Sequence, residues 1–336
     1  MANNFSNFKV FFILLATAVL GICFYSPSAY ALTVTPTRFE ISGNPGDTLN
    51  EEISLINETD NIETYSVSYT NFEAQGENGD PAFVTPKEGL GTWIKTEESS
   101  VVILPKQQRV VPFTITIPKD ADPGGHFAVI FWGISSGDSP GVSVGAKTGV
   151  LVLLSVKGDV KEDAGLLNFN TTGKKFWYST LPVSFEYRFK NDGGDRIKPK
   201  GKITIRNTVF LPTERLDANP GDGNVLPAST RKITADWIKY ERPKDYEEPT
   251  AFFSKFWSDF VYQWKNFAVG LYSAKLNVNY GLQNQNVKKT AFFFVFPWQL
   301  VLVIIIVGFL VIWGGKKIIG RYNKFIIDRA QQVDRR

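Results

Sequence analysis

Residues 291–313 carry no charged side chain, and the densest part of that stretch, Leu300-Val301-Leu302-Val303-Ile304-Ile305-Ile306-Val307, is wholly aliphatic. A helix needs ~20 apolar residues to cross a ~30 Å hydrocarbon core, so a transmembrane helix is expected over 297–315. Pro297 suits a first helical turn, and Trp298 and Trp313 stand where amphipathic rings anchor a span at its two interfaces. Lys316, Lys317, Arg321 and Lys324 follow at once. Cations gather on the cytoplasmic side of a span, so 316–336 reads as a basic cytoplasmic tail and the preceding region as external, a single-pass type I arrangement. Along the tail, Ile318, Ile319, Tyr322, Phe325 and Ile326 would line one face of a membrane-surface helix.

The other end fits export. Lys9 precedes an apolar run over 10–25, and Ala29-Tyr30-Ala31 offers a small-x-small cleavage pattern, so 1–31 reads as a secretory signal peptide. An uncleaved anchor is the rival, disfavoured because the run is short. Cys23 is the only cysteine, and Ile22 stands where a lipidation site needs a small residue. A chain beginning at Leu32 has no thiol, hence no disulfide, cysteine nucleophile or Cys-type metal site. The net charge of +4 is unevenly placed: the stretch after Trp313 holds seven Lys/Arg against two Asp, and with Lys9 set aside the region between carries −2. Nucleic acid would require a basic face, and that partner class is excluded. With 43% hydrophobic and 14% aromatic residues the exported region is not disordered and must bury rings.

Between 32 and 296 short alternating segments are broken by Gly, Pro, Asn and Asp, the pattern of strands and turns. In 32–160, strands are expected at 33–41, 51–57, 63–70, 101–104, 109–117, 126–135 and 143–156, enough for one β-sandwich. Asn44-Pro45-Gly46-Asp47 is a turn, and the Pro- and Gly-rich segment 118–125 a rigid corner. The run His126-Phe127-Ala128-Val129-Ile130-Phe131-Trp132 is so continuously apolar that a strand buried on both faces is expected, with Trp132 and Trp93 as core anchors rather than sugar-stacking rings. After the polar linker 157–163, the second module, 161–296, has strands expected at 181–190, 201–207, 229–237, 271–280 and 287–296. Asn191-Asp192-Gly193-Gly194-Asp195 and Asn219-Pro220-Gly221-Asp222 supply its turns.

One insertion, about 250–268, breaks the strand pattern. Phe253, Phe256, Trp257, Phe260, Val261, Trp264 and Phe267 recur at spacings of three and four, with Lys255, Asp259 and Lys265 between them, which makes an amphipathic helix. The leading expectation is that this helix caps the second sandwich and buries its rings there. Two alternatives stay open, a helix lying on the outer leaflet and a partner-binding surface.

Catalytic apparatus is sparse. With His126 as the one histidine, no two-histidine metal site can be drawn, and a packing or backbone-bonding role is expected for it. No Gly-rich phosphate loop occurs, and Glu51 with Glu52, or Glu97 with Glu98, point to opposite sides of extended backbone. Residues 217–224 faintly resemble a calcium loop but lack its closing Glu. Asn57-Glu58-Thr59 and Asn170-Thr171-Thr172 are sequons that matter only in a eukaryotic secretory pathway. No cofactor and no enzymatic activity are expected, an envelope enzyme working through carboxylates alone being the remote alternative.

Val34-Thr35-Pro36, then Asn44-Pro45-Gly46-Asp47, Ser54-Leu55-Ile56-Asn57, Trp93-Ile94, Ile117-Pro118 and Pro123-Gly124-Gly125-His126-Phe127-Ala128 together resemble the first domain of the bacterial WxL-interacting protein family. The resemblance implies two tandem immunoglobulin-like β-sandwiches, peptidoglycan binding by the first and protein partners, WxL-type surface proteins among them, for the second. The aromatic insertion departs from that pattern. The expected function is thus a non-enzymatic surface protein that holds peptidoglycan, an envelope protein or both near the membrane, with a chaperone-like assembly factor as the alternative.

Overall fold

The computed structural model describes residues 32–134, 147–208 and 211–333, with side chains through 323. The signal segment 1–31 and the start of the strand expected at 143–156 lie outside the described residues. The chain forms two compact units that meet in sequence at Asp159 and Val160, with Ala74–Pro81 counted in the second. Each is an immunoglobulin-like β-sandwich, and one apolar helix closes the chain.

In the first module, β1 (Leu32–Thr35), β3 (Thr48–Asn57), β8 (Gln108–Thr116) and β6 (Ile94–Thr96) form one sheet in the order β1-β3-β8-β6. The facing sheet runs β2 (Arg38–Gly43), β10 (Lys147–Val156), β9 (Gly124–Ile134), β4 (Glu63–Gln75), β5 (Asp80–Val84), and β7 (Ser100–Ile103) also pairs with β4. Ile53, Leu55, Phe113 and Ile115 from one sheet meet Ile130, Trp132, Val152 and Leu154 from the other in a single core. Trp132 is fully buried, as expected, whereas Trp93, at the end of the one-turn helix α1 (Leu90–Trp93), is half-buried.

The strand expected at 33–41 is two strands in two different sheets. Pro36 has no amide hydrogen to give to a ladder, so pairing breaks there; the chain pairs with β3 before it and runs parallel to β10 after it. The turn Asn44-Pro45-Gly46-Asp47 then carries the chain back, with Gly46 at a φ of 89° and the Asp47 carboxylate accepting from the Asn44 amide at 2.7 Å.

Buried asparagines end strands in both modules. The Asn57 side chain donates to the carbonyls of Asn61 (2.8 Å) and Ile103 (3.0 Å) and accepts from the Thr59 amide (3.0 Å), the Thr59 hydroxyl (2.7 Å) and the Tyr65 hydroxyl (3.2 Å). Asn191 does the same work in the second module, donating to Asp195 and Val225 carbonyls. The Asn57 amide is therefore committed and closed to glycan transfer once folded. Asn57→Ala is expected to cost about 3 kcal/mol, because it orphans several buried groups at once. A urea midpoint unchanged from the parent, measured on the full chain in micelles, would contradict this.

The second module pairs β11 (Ala164–Thr171), β13 (Val183–Asn191) and β16 (Ser229–Trp237) in one sheet. The other has the order β12 (Trp177–Tyr178), β18 (Gln285–Val295), β17 (Gly270–Tyr280), β14 (Lys200–Arg206), β15 (Pro212–Asp217). Phe185, Tyr187, Phe189 and Trp237 interlock with Ile203, Leu276 and Phe293. Helix α2 (Phe252–Lys265) enters before β17, so Phe267 lies just past its end.

The last helix, α3, runs unbroken from Trp298 to Val333. Its segment Trp298–Asn323 has a mean hydropathy of 2.4 over its most apolar window and is long and apolar enough to cross a membrane. The separate membrane-surface helix expected for the tail is not formed; Gly314 and Gly315 continue the helix, and Ile318, Ile319 and Tyr322 extend its exposed surface.

Candidate functional site

Two surfaces stand out, one in each module. In the first, the core-facing residues of β9 and β10 are the even-numbered ones, so Phe127, Val129, Phe131, Leu151 and Leu153 project from the outer face of the same sheet. Phe72 of β4 joins them against Phe127 at 5.8 Å between ring centroids, and the exposed Phe83 packs edge-on against Phe131 at 5.2 Å. Gly149 makes room for this layer: a Cβ there would lie 2.7 Å from Val129 Cγ1 and 2.8 Å from Phe131 Cε1. The expectation of a strand buried on both faces or nearly so holds: Val129 is buried and Phe127 and Phe131 are half-buried.

At the β2 side of this sheet, β10 is unpaired ahead of Leu151 among the described residues. β2 pairs with β10 only from Leu151 onward, where the Leu151 amide donates to the Thr37 carbonyl at 3.1 Å. Amides alternate sides along a strand, so those of Gly149 and Lys147 point to the edge that Leu151 uses. The chain has already crossed to the other sheet at Pro36, and among the described residues no strand pairs with 147–150 on that side. The Thr148 hydroxyl donates to the Leu32 carbonyl at 3.3 Å, so β1 lies against the core side of this end of β10.

In the second module the helix expected at 250–268 is present as α2, but its orientation corrects the leading expectation. Its polar face is the buried one. Gln263 and the following Asn266 are 2% and 1% exposed, while Phe253 is 76% exposed, Trp264 65% and Trp257 53%; Phe256 and Phe260 are half-buried and Phe267 is exposed. The reason is the segment 239–246, which offers polar partners. Asn266 accepts from the Lys239 (3.2 Å) and Tyr240 (3.0 Å) amides and donates to the Tyr240 carbonyl (2.9 Å). Arg242 pairs with Asp259 at 3.1 Å and lies over the Tyr262 ring at 4.3 Å, while Tyr246 bonds to Ser258. Burial pushes the Tyr262 phenol above its ordinary range. Behind this face is a cavity of about 270 Å³ lined by Thr180, Arg242, Asp259, Tyr262, Gln263 and Gln299.

The same face fastens α2 to the start of α3. The Gln263 side-chain amide bonds to the Gln299 side chain and accepts from the Leu300 amide at 3.1 Å, and Phe256 packs against Trp298 at 6.0 Å. Trp298 is thereby brought to the aromatic helix, whereas Trp313, Lys316 and Lys317 lie farther along α3, where the Lys317 ammonium sits 5.0 Å from the Trp313 ring.

The remaining sequence candidates are structural groups. His126 Nε2 lies 2.8 Å from the Asp122 carbonyl oxygen and its ring packs on Trp93 at 4.7 Å. In the segment 217–224 the Asp217 carboxylate accepts from the Asn219 amide at 2.8 Å and Asp222 pairs with Lys198 at 2.7 Å. Glu98 pairs with Arg109 at 2.6 Å.

No protein-family model and no curated protein matches the chain. Among solved structures it is similar to the class 5 fimbriae chaperone CfaA, at 12% identity over 78% of this chain and 99% of that one with a TM-score of 0.36. It is also similar to the E. coli chaperone DraB, at 11% identity over 78% and 97% with a TM-score of 0.33. A chaperone-tip adhesion subunit complex from Csu pili of Acinetobacter baumannii aligns at 10% identity over 78% and 98% with a TM-score of 0.35. Likenesses this distant transfer no residue and no activity.

Proposed function

We propose that the chain is a non-catalytic, membrane-anchored envelope protein that holds an extended segment of an exported partner protein on the open edge of β10. The carrying observation is that edge: among the described residues no strand pairs with Lys147 and Gly149 on the side that β2 takes, beside the half-buried Phe131 and Leu151 of the outer face. Main-chain hydrogen bonds to such an edge give affinity for any extended peptide, and the apolar layer selects its side chains. The span over Trp298–Asn323 and the cations after Trp313 favour an external location for both modules.

This reading makes the protein a holder or assembly factor for surface proteins. It departs from the WxL-interacting resemblance, which would assign the first module to peptidoglycan. Trp132 is fully buried and Trp93 spends its ring on His126, so neither tryptophan weighed for sugar stacking favours the glycan reading.

A photo-crosslinking amino acid at the exposed Thr37, beside the open edge, tests the proposal in the native membrane, with Leu282 in the β17–β18 turn as the control position. An adduct to an extended segment of an exported protein is expected from Thr37 and not from Leu282. Lys147→Pro removes an outward amide at the first residue of the strand, where proline is tolerated, and should weaken the adduct about fivefold, the worth of a net hydrogen bond of ~1 kcal/mol. An adduct indifferent to Lys147→Pro, or saturable binding to purified peptidoglycan sacculi with no adduct, overturns the proposal.

A further inference from the structure

Helix α2 turns outward an apolar face that nothing within its own module covers among the described residues. Its polar residues are spent inward on Tyr240, Arg242, Tyr246 and Gln299, and its rings are left outward. A surface helix of a water-soluble domain does the reverse. Phe253, Trp257 and Trp264 hold large apolar surfaces in water that an apolar environment would take up. Some apolar phase must cover them.

The structure names that phase by continuity. Phe256 of α2 packs on Trp298, the residue at which the membrane-crossing helix begins, and Gln263 bonds to both Gln299 and the Leu300 amide. The exposed Phe296 and Trp298 connect the rings of α2 with the exposed apolar surface of α3. A bilayer that receives α3 therefore begins where α2 already lies. The composition fits as well: Trp and Phe are the side chains that stabilise a helix lying in the headgroup region, sunk ~5–10 Å toward the acyl chains.

We propose that α2 is an interfacial helix whose face of Phe253, Trp257, Phe260 and Trp264 lies in the outer leaflet of the same bilayer that α3 spans. This rests on the membrane-anchored reading given above and adds to it a second, lateral contact with lipid. The buried Gln263–Gln299 amide pair sets the angle between the surface helix and the span, so the second module meets the membrane along α2 and through α3 together.

The experiment uses the full chain with Cys23 changed to Ser, in nanodiscs of phosphatidylcholine and phosphatidylglycerol. An environment-sensitive fluorophore is placed in turn at Phe253→Cys, Trp264→Cys, Ile305→Cys and Leu282→Cys, all exposed positions, and quenched by lipid bearing a nitroxide high on its acyl chain. The labels at 253 and 264 are expected to shift to the blue and to lose at least about half their emission to the quencher, while the label at 282 stays as in water. Quenching at 305 with water-like labels at 253 and 264 overturns the interfacial helix and leaves the anchor standing. Labels at 253 and 264 that are shielded from water yet untouched by the nitroxide overturn it in favour of a protein contact. Failure at 305 itself removes the anchored reading on which the inference rests.

Discussion

Gly201→Val is expected to destabilise the second module by about 4 kcal/mol or more, enough to leave it unfolded at body temperature while the first module stays intact. Gly201 sits opposite Val278 in the β14–β17 ladder, and even the first atom of a side chain there would lie 2.0 Å from the Asn277 carbonyl oxygen and 2.8 Å from the Val278 Cα. Both are backbone atoms in the middle of a sheet, so neither can swing aside as a side-chain tip would. The strands would have to part, and β14 carries Ile203 and Ile205, both fully buried in the core around Trp237. Limited proteolysis with mass mapping reads the outcome directly: cleavage should appear throughout 160–296 and spare 32–73 and 82–134. Wild-type resistance in both modules would mean that the ladder opens at Gly201 without cost.

Alkali is expected to open the second module before the first. Burial pushes the phenols of Tyr178, Tyr187, Tyr272, Tyr280 and Tyr262 above the ordinary value of 10.0, and Tyr65 in the first module is shifted the same way for the same reason. A group whose folded pKa is raised lends its full stability below the unfolded pKa and loses it as pH climbs toward the folded one. The stability these tyrosines lend is thus complete below pH ~10 and falls above it, and five of them act on one module. Tyr187 is the extreme case, 1% exposed with a hydroxyl that has no hydrogen-bond partner among the described residues. Tyr187→Phe should raise stability at neutral pH by about 1 kcal/mol, since it removes an unsatisfied buried polar group, and move the alkaline transition upward. Hydrogen exchange across an alkaline series, with simultaneous loss of protection in both modules, would refute this.

What was legible in the sequence was whatever depended on periodicity over several residues. The unbroken apolar run of β9 announced a strand with two apolar faces, and the uncharged stretch before Lys316 announced α3. Strands held by neighbours rather than by their own composition were not legible. β15, with Pro212, Glu214 and Arg215, is almost wholly exposed and is a strand because β14 pairs with it. Pro36 was visible as a residue, but its role in moving the chain from one sheet to the other depends on β10 lying parallel to β2, a contact more than a hundred residues away. The spacing of rings in α2 showed that the helix has two faces and could not show which of them faces inward. That choice is made by Arg242, Tyr240 and Gln299, which come from other elements. The open edge of β10 was likewise invisible, being defined by where β2 begins.

Only Phe296 and Pro297 separate the last strand from α3, and the amides of Gln263 and Gln299 clasp that junction from the side. The second module therefore has no leash. A domain on a flexible tether searches a volume set by the tether's length, whereas the second module follows the motion of α3 itself. On the membrane-anchored reading proposed above, the 26-residue apolar segment of that helix, about 39 Å long, exceeds the ~30 Å hydrocarbon core it would cross. The excess is taken up by leaning, and a helix that leans carries the sandwich with it as a mast carries its masthead. Bilayer thickness then becomes a control on the module's attitude: thickening the membrane draws it upright, thinning it lays it over, with no change in any contact inside the protein.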